Sequence, residues 1–194
     1  MSTLEPDLTA LAEALPAGWL GGWSLGGVLA VQLQRRFPER FPGVVTIASN
    51  ACFSAREGWP EAMAPETFKG FISDAREQPE RALKRFGLLV TQGADRAREL
   101  SRQLVWSGLD PLQRLNHLAL LGVLDNRVAL QRCQQPVLHC LAGADALVPA
   151  GAAQALAQLN EQAEICVLPQ ASHALPLEAP IWLAGEIGNW LERQ

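Results

Sequence analysis

Apolar residues recur at helical spacing from Leu4 to Leu15, and Pro16 and Gly18 end the pattern. A short apolar run, Trp19 to Trp23, leads through Ser24 into a second helical stretch from about Leu25 to Arg36, which Phe37 and Pro38 close. Three further runs, Gly43 to Ser49, Pro136 to Gly143 and Ala163 to Pro169, are apolar on both faces, as buried parallel strands are. The helical pattern GAAQALAQL separates the last two. PIWLAGEIGNWLER follows them, with Pro180 suited to a first helical position. Strand and helix in alternation predict an α/β fold, a parallel sheet of about four strands joined by right-handed crossovers.

Residues 50 to 130 break this rhythm. They read as helices starting near Pro65, Pro79 and Ala94, with no convincing strand. The predicted organisation is a core made of residues 1–50 and 130–194, with a helical cap, residues 51–129, inserted over one end of the sheet. No repeat or low-complexity tract interrupts it.

A length of 194 residues, 48% of them hydrophobic, is enough to bury one sizeable core. No apolar tract reaches the roughly eighteen residues of a membrane span. The start, MSTLEPDLTALAEAL, is acidic and amphipathic where a signal peptide is basic and then apolar, which predicts a soluble cytoplasmic protein. A net charge of −4 argues against nucleic acid or an anionic membrane as the main partner. Fourteen of the sixteen basic residues are nevertheless arginine, and several gather between Arg76 and Arg102. Cys52, Cys133, Cys140 and Cys166 lie in or beside apolar runs without metal-ligand spacing. They read as buried thiols; neither a metal nor another cofactor is expected.

The candidate chemistry starts at Gly22-Trp23-Ser24-Leu25-Gly26, a GxSxG pattern at a predicted strand-to-helix junction. Such an elbow holds its serine strained and exposed, and glycine two residues to either side is expected to relieve the crowding. A serine hydroxyl needs a base, and the base needs an acid to fix its tautomer. His139 sits within a predicted strand and reads as a packed core residue; His117 lies among apolar neighbours in the insert and reads as structural. His173, in the small-residue loop QASHALP after the last strand, is the candidate base, in the chain order serine, acid, histidine. Asp145, just past the end of a strand in LAGADALVP, is the candidate acid. Asp125 is held as a second candidate, with helix capping as its other reading.

The stretches WLGGWSLGGVLA, FPERFPGVVTIASNACFSAREGWP, GADALVP and ASHALPLEAP together resemble the α/β-hydrolase superfamily, and within it the pimeloyl-[acyl-carrier protein] methyl ester esterases of biotin synthesis. The resemblance covers essentially the whole chain. It implies an α/β-hydrolase core and a serine carboxylesterase that removes a methyl ester through an acyl-enzyme, with Ser24 as nucleophile, His173 as base and Asp145 as its partner. It also implies that the backbone N–H of Leu25 holds the oxyanion and that Trp23 and Phe86 touch the substrate.

Arg81 and Arg85, and likewise Arg98 and Arg102, are four apart, so each pair shares a helical face at a small cost in helix stability. The resemblance assigns these four positions to docking of an acidic acyl carrier protein. The competing reading has Glu77, Glu80 and Glu99 neutralising a solvated face. Two other functional readings stay open, a general short-chain carboxylesterase and a catalytically impaired, truncated hydrolase.

The family pattern also includes strands, a helix and a His-Gly-Trp-type loop ahead of the helix that opens this sequence. The loop supplies a second oxyanion donor, worth about 10²–10³ in turnover. From the sequence as it stands, the expectation is therefore a fragment or a late start, an exposed edge at Trp19 to Trp23, possible self-association through that edge, and impaired catalysis.

Overall fold

The computed structural model describes residues 4–105 and 108–194. The elements follow in the order α1 (Leu4–Ala14), β1 (Leu20–Trp23), α2 (Leu25–Arg36), β2 (Val44–Ile47), α3 (Pro65–Glu77), α4 (Pro79–Thr91), α5 (Ala97–Gln103), α6 (Pro111–Val123), α7 (Arg127–Gln131), β3 (Val137–Ala142), α8 (Ala152–Leu159), β4 (Glu164–Leu168), α9 (Leu175–Glu178) and α10 (Pro180–Leu191).

The four strands form one parallel sheet in the order β1-β2-β3-β4. Because each crossover steps to the next strand in the same direction, the connecting helices fall on one face. Strand residues alternate accordingly. Val44, Val137 and Leu141 pack with Ala30, Val31 and Leu33 of α2 and with Leu156 of α8, whereas Val45, Leu138 and Cys140 face Leu183 and Trp190 of α10. All six residues of β3 are buried, His139 among them, as befits a central strand covered on both faces.

β4 has as apolar a sequence but a different fate. It closes the described sheet on one side, and Val167 is 41% exposed. Apolar content alone does not separate an edge strand from a central one, so the expectation that β4 is buried is corrected here. Cys166, on the same strand, is correspondingly half-buried rather than buried. β1 is the other edge of the described sheet, and Trp19 just before it stacks edge-on against Trp190 with ring centroids 5.1 Å apart.

Helices α3 to α6 occupy the connection between β2 and β3. Pro65, Pro79 and Pro111 open three of them, where a missing N–H costs nothing. α6 is fixed further by a reciprocal capping box between Asp110 and Gln113. α5 begins at Ala97, three residues later than the pattern from Ala94 suggests, because Ala94 to Arg96 form turns first. A buried cluster joins Phe68, Phe71, Val90 and Leu121 of these helices to Val28 of α2, Leu147 and Ala174, so the insert is seated on the C-terminal end of the sheet. Among the described residues no helix is long and apolar enough to cross a membrane.

Candidate active site

The site is built where β1 meets α2. Ser24 has φ +53°, a conformation a non-glycine residue adopts at a cost of about 1–3 kcal/mol and which persists only where its surroundings enforce it. Its N–H donates to the Ile47 carbonyl at 2.9 Å, and its own carbonyl accepts from Gly27 N, Val28 N and the Ser49 hydroxyl. The elbow is therefore clamped from both sides. A Cβ at Gly22 would lie 2.2 Å from the Gly26 carbonyl carbon, so glycine is obligatory there. Gly26 meets nothing within 4 Å; the second crowded position is Gly27, whose Cβ would come within 2.8 Å of both the Gly22 oxygen and the Ser49 Cβ. The expectation that Gly26 relieves the elbow is corrected: its side is open, and the tight approach falls one residue later, where α2 crosses β1 and the turn after β2.

Ser24 Oγ lies 2.9 Å from Nε2 of His173, and Nδ1 of the same ring lies 2.7 Å from Asp145 Oδ2. The other carboxylate oxygen accepts from the backbone N–H groups of Leu147 and Val148 at 2.7 and 3.0 Å. Asp145 and His173 are both about 1% exposed at their side chains. A buried carboxylate with both oxygens occupied is fixed in place and holds Nδ1–H, which leaves the Nε2 lone pair facing the serine hydroxyl. Leu25, the first residue of α2, has no intrahelical acceptor for its N–H and lines the cavity beside Ser24.

The loop that carries His173 is pinned at several points that the sequence reading did not identify. Trp23 Nε1 donates to the His173 carbonyl at 2.8 Å, Ala174 N donates to the Val90 carbonyl of α4 at 2.9 Å, and Ser172 gives both its N–H and its hydroxyl to Glu178 Oε2 at 2.8 and 2.7 Å. The only signal for Glu178 is its closeness to the loop in sequence; for the Val90 contact there is none.

Asp125 stands outside this relay. It forms a two-pronged ion pair with Arg127, approaches Arg56 at 3.6 Å and accepts from the Cys52 thiol at 3.3 Å. Hydrogen bonds from Arg127 hold its carboxyl down at about 2, while burial, with help from Asp125, pushes the Cys52 thiol up to about 11. Arg56 and Cys52 lie where the chain enters the insert and Asp125 where it leaves, so the group is a clasp across the two connections. Asp125 is therefore not the acid of the relay, whereas its expected capping role holds beside the clasp: Oδ1 also accepts the backbone N–H of Arg127, the first residue of α7, at 3.0 Å. His139 is in the core as expected, sharing a 2.6 Å hydrogen bond with Thr46 of the neighbouring strand. His117, expected to be structural, is instead exposed on α6 and lines the cavity, because its face of the helix looks across the site and not into the core.

That cavity, about 330 Å³, lies over Ser24 and is walled by Trp23, Leu25, Phe71, Phe86 and Leu121 among others. Arg81, Arg85, Arg98 and Arg102 are all exposed on α4 and α5. Arg85 pairs with Asp74 at 2.7 Å over the ring of Phe71, and Arg81 donates to Gln78. The glutamates considered as their neutralisers are engaged elsewhere: Glu77 accepts from Ser73, Glu80 from Arg114, and Glu99 pairs with Arg96.

The sequence profile of the "Alpha/beta hydrolase family" matches residues 3–186. The chain is 42% identical over 196 residues to the "Biotin biosynthesis bifunctional protein BioHC" of Cellvibrio japonicus, covering 98% of this chain and 38% of that protein. It is 37% identical over 179 residues to the "Pimeloyl-[acyl-carrier protein] methyl ester esterase" of Salmonella enteritidis PT4, covering 89% of this chain and 69% of that one. It thus spans well under half the length of the bifunctional relatives and about two thirds of the single esterase. Among solved structures, an esterase from Exiguobacterium antarcticum superposes with a TM-score of 0.83 at 16% identity over 97% of this chain and 71% of that one, a likeness of fold.

Proposed function

The chain belongs to the alpha/beta hydrolase family, and on that premise we propose that it is a serine carboxylesterase acting on the methyl ester of a carrier-bound pimeloyl chain. The observation that carries the proposal is the continuous line from Asp145 through His173 to Ser24, with the acid buried and the hydroxyl at the floor of an apolar cavity. His173 Nε2 takes the proton of Ser24 as Oγ bonds to the ester carbonyl carbon, and Asp145 stabilises the imidazolium so formed. The Leu25 N–H faces the carbonyl oxygen as it gains charge. The C–O bond to the methoxy group then breaks, the imidazolium proton leaves with it as methanol, and the acyl group remains on Ser24. Water, deprotonated by the same ring, attacks the acyl-enzyme and releases the carboxylate and the free serine.

The substrate class follows from the relatives' names and from the cavity, whose apolar wall suits an alkyl chain, with Trp23 and Phe86 lining it. The carrier is proposed to dock on the helices α4 and α5, where Arg81, Arg85, Arg98 and Arg102 present positive charge to an acidic partner. In this organisation the insert, residues 51–129, acts as the cap through which the acyl chain passes.

A fluorophosphonate and a mass measurement test the reaction class. One adduct is expected, on Ser24, lost in Ser24→Ala and strongly slowed in His173→Ala. An unlabelled, folded protein would overturn the assignment. Hydrolysis of the pimeloyl methyl ester on its carrier, against p-nitrophenyl butyrate, then separates the carrier-directed enzyme from a general short-chain esterase.

A further inference from the structure

The base is held through its neighbours in the chain. Ser172 donates its N–H and its hydroxyl to Oε2 of Glu178, at 2.8 and 2.7 Å, and Ala174 N–H, besides its bond to the Val90 carbonyl, donates to Ser172 Oγ at 3.2 Å. The peptide groups on the two sides of His173 therefore converge, one directly and one through a hydroxyl, on a single carboxylate oxygen. α9 brings that oxygen within reach. Leu175 is fully buried, and the N–H groups of Leu177 and Glu178 donate to the Ala174 carbonyl at 2.8 and 2.9 Å, so the chain doubles back and the side chain at 178 meets residue 172.

Ser172 is shut away from solvent and Glu178 is half-buried. Hydrogen bonds to an ionised acceptor are shorter and stronger than those between neutral groups, and a buried N–H and O–H deprived of this acceptor would each be left unpaired at a cost. Glu178 takes no part in walling the cavity over Ser24. It lines a separate cavity of about 280 Å³, between the start of α5 and the connection from β4 to α9, together with Asp95, Arg96 and Gln170. Its carboxylate is therefore out of reach of the acyl chain, and any effect it has on the reaction passes through the base.

We infer that Glu178 is a positioning residue for the reaction: by accepting from both groups of Ser172 it fixes the backbone around His173, and with it the approach of Nε2 to Ser24 Oγ, 2.9 Å away. The inference rests on the proposed esterase reading and extends it to a group outside the relay. Asp145 holds the ring at Nδ1 alone. A ring pivoting about that one bond still swings Nε2 away from the hydroxyl, and a clamp on the backbone removes the pivot. Because Nε2 lies at the far end of the side chain, a small turn of the backbone is magnified there, and a displacement of 1 Å costs about 10²-fold in rate.

Inactivation by a fluorophosphonate, resolved into the reversible binding constant KI and the rate of the covalent step kinact, tests this in Glu178→Ala, Glu178→Gln and Ser172→Ala, with a urea transition recorded for each. Glu178→Ala is expected to lower kinact about tenfold or more while KI stays within about twofold, because the base is displaced and the cavity is not. The kcat for p-nitrophenyl butyrate should fall in step. Glu178→Gln places an amide oxygen with two lone pairs at the same point and should restore kinact to within about threefold. Ser172→Ala keeps the bond from its own N–H and loses the hydroxyl link; its kinact should lie between the two, and it serves should Glu178→Ala not fold. An unchanged kinact in folded Glu178→Ala or in Ser172→Ala, a loss that appears in KI instead, or a Glu178→Gln as slow as Glu178→Ala would each overturn the inference. The two levels separate cleanly. Labelling of Ser24 at one kinact in all the variants removes only the role of Glu178, whereas an unsubstituted protein that neither labels nor turns over p-nitrophenyl butyrate removes the esterase reading and the inference with it.

Discussion

At Gly22 and Gly26 the same amino acid does different work. A methyl group at Gly22 would sit inside the backbone of α2, and no side chain is there to yield. Gly22→Ala is therefore expected to cost enough to prevent the elbow from forming, read as loss of fluorophosphonate labelling and of a cooperative thermal transition. Gly26→Ala should fold and label, and gain about 0.5–1 kcal/mol from the restricted unfolded chain, visible as a higher urea midpoint. A pattern of letters marks both glycines equally; only the crossing of α2 over β1 tells them apart. Ser24, Asp145 and His173 were legible because each follows a strand at one end of the sheet, whereas the contacts of their loop with Glu178 and Val90 were not, since they depend on how the loop meets α9 and the insert.

His139 shows how a single side chain ties stability to pH. Burial lowers its pKa from 6.5 to about 4, so in the folded protein the ring stays neutral through mildly acidic conditions. The unfolded chain takes up a proton below about 6.5 that the folded one refuses until about 4, so unfolding becomes easier as pH falls through that window. The shift corresponds to a loss on the order of 3 kcal/mol at the acid end. Urea midpoints at about pH 7 and pH 5 should differ markedly in the unsubstituted protein and much less in His139→Asn, if Asp145 and His173 are left unchanged.

At the scale of elements, the strands and most helices follow from periodicity and proline placement: α4 begins at Pro79 two residues after α3 ends, because proline can open a helix but not continue one. Edge and centre were not separable in this way, as β4 shows. Nor was the clasp at Asp125, which depends on residues seventy positions apart meeting at the neck of the insert. Asp125→Ala would leave Arg56 and Arg127 without their carboxylate. With these groups partly exposed, a loss of about 1–2 kcal/mol is expected, concentrated at the neck. Limited proteolysis between β2 and α3 should then proceed faster while the sheet, followed by hydrogen exchange of β3, stays protected.

For the molecule as a whole, a net charge of −4 coexists with exposed arginines concentrated on α4 and α5. Such a separation of sign orients an acidic macromolecule before contact, at a rate that falls as salt rises. Reversing Arg81, Arg85, Arg98 and Arg102 to Glu is expected to lower kcat/KM for the carrier-bound ester at least tenfold and to flatten its dependence on ionic strength. An unchanged salt profile would remove the arginines from docking.

The hydrogen bond from Ala174 to Val90 has a mechanical meaning at this scale. It couples the imidazole to a helix of the insert, so the proton acceptor and the roof above it share one support. Displacing α4 is therefore expected to carry the ring with it, so that roof and base move as one unit.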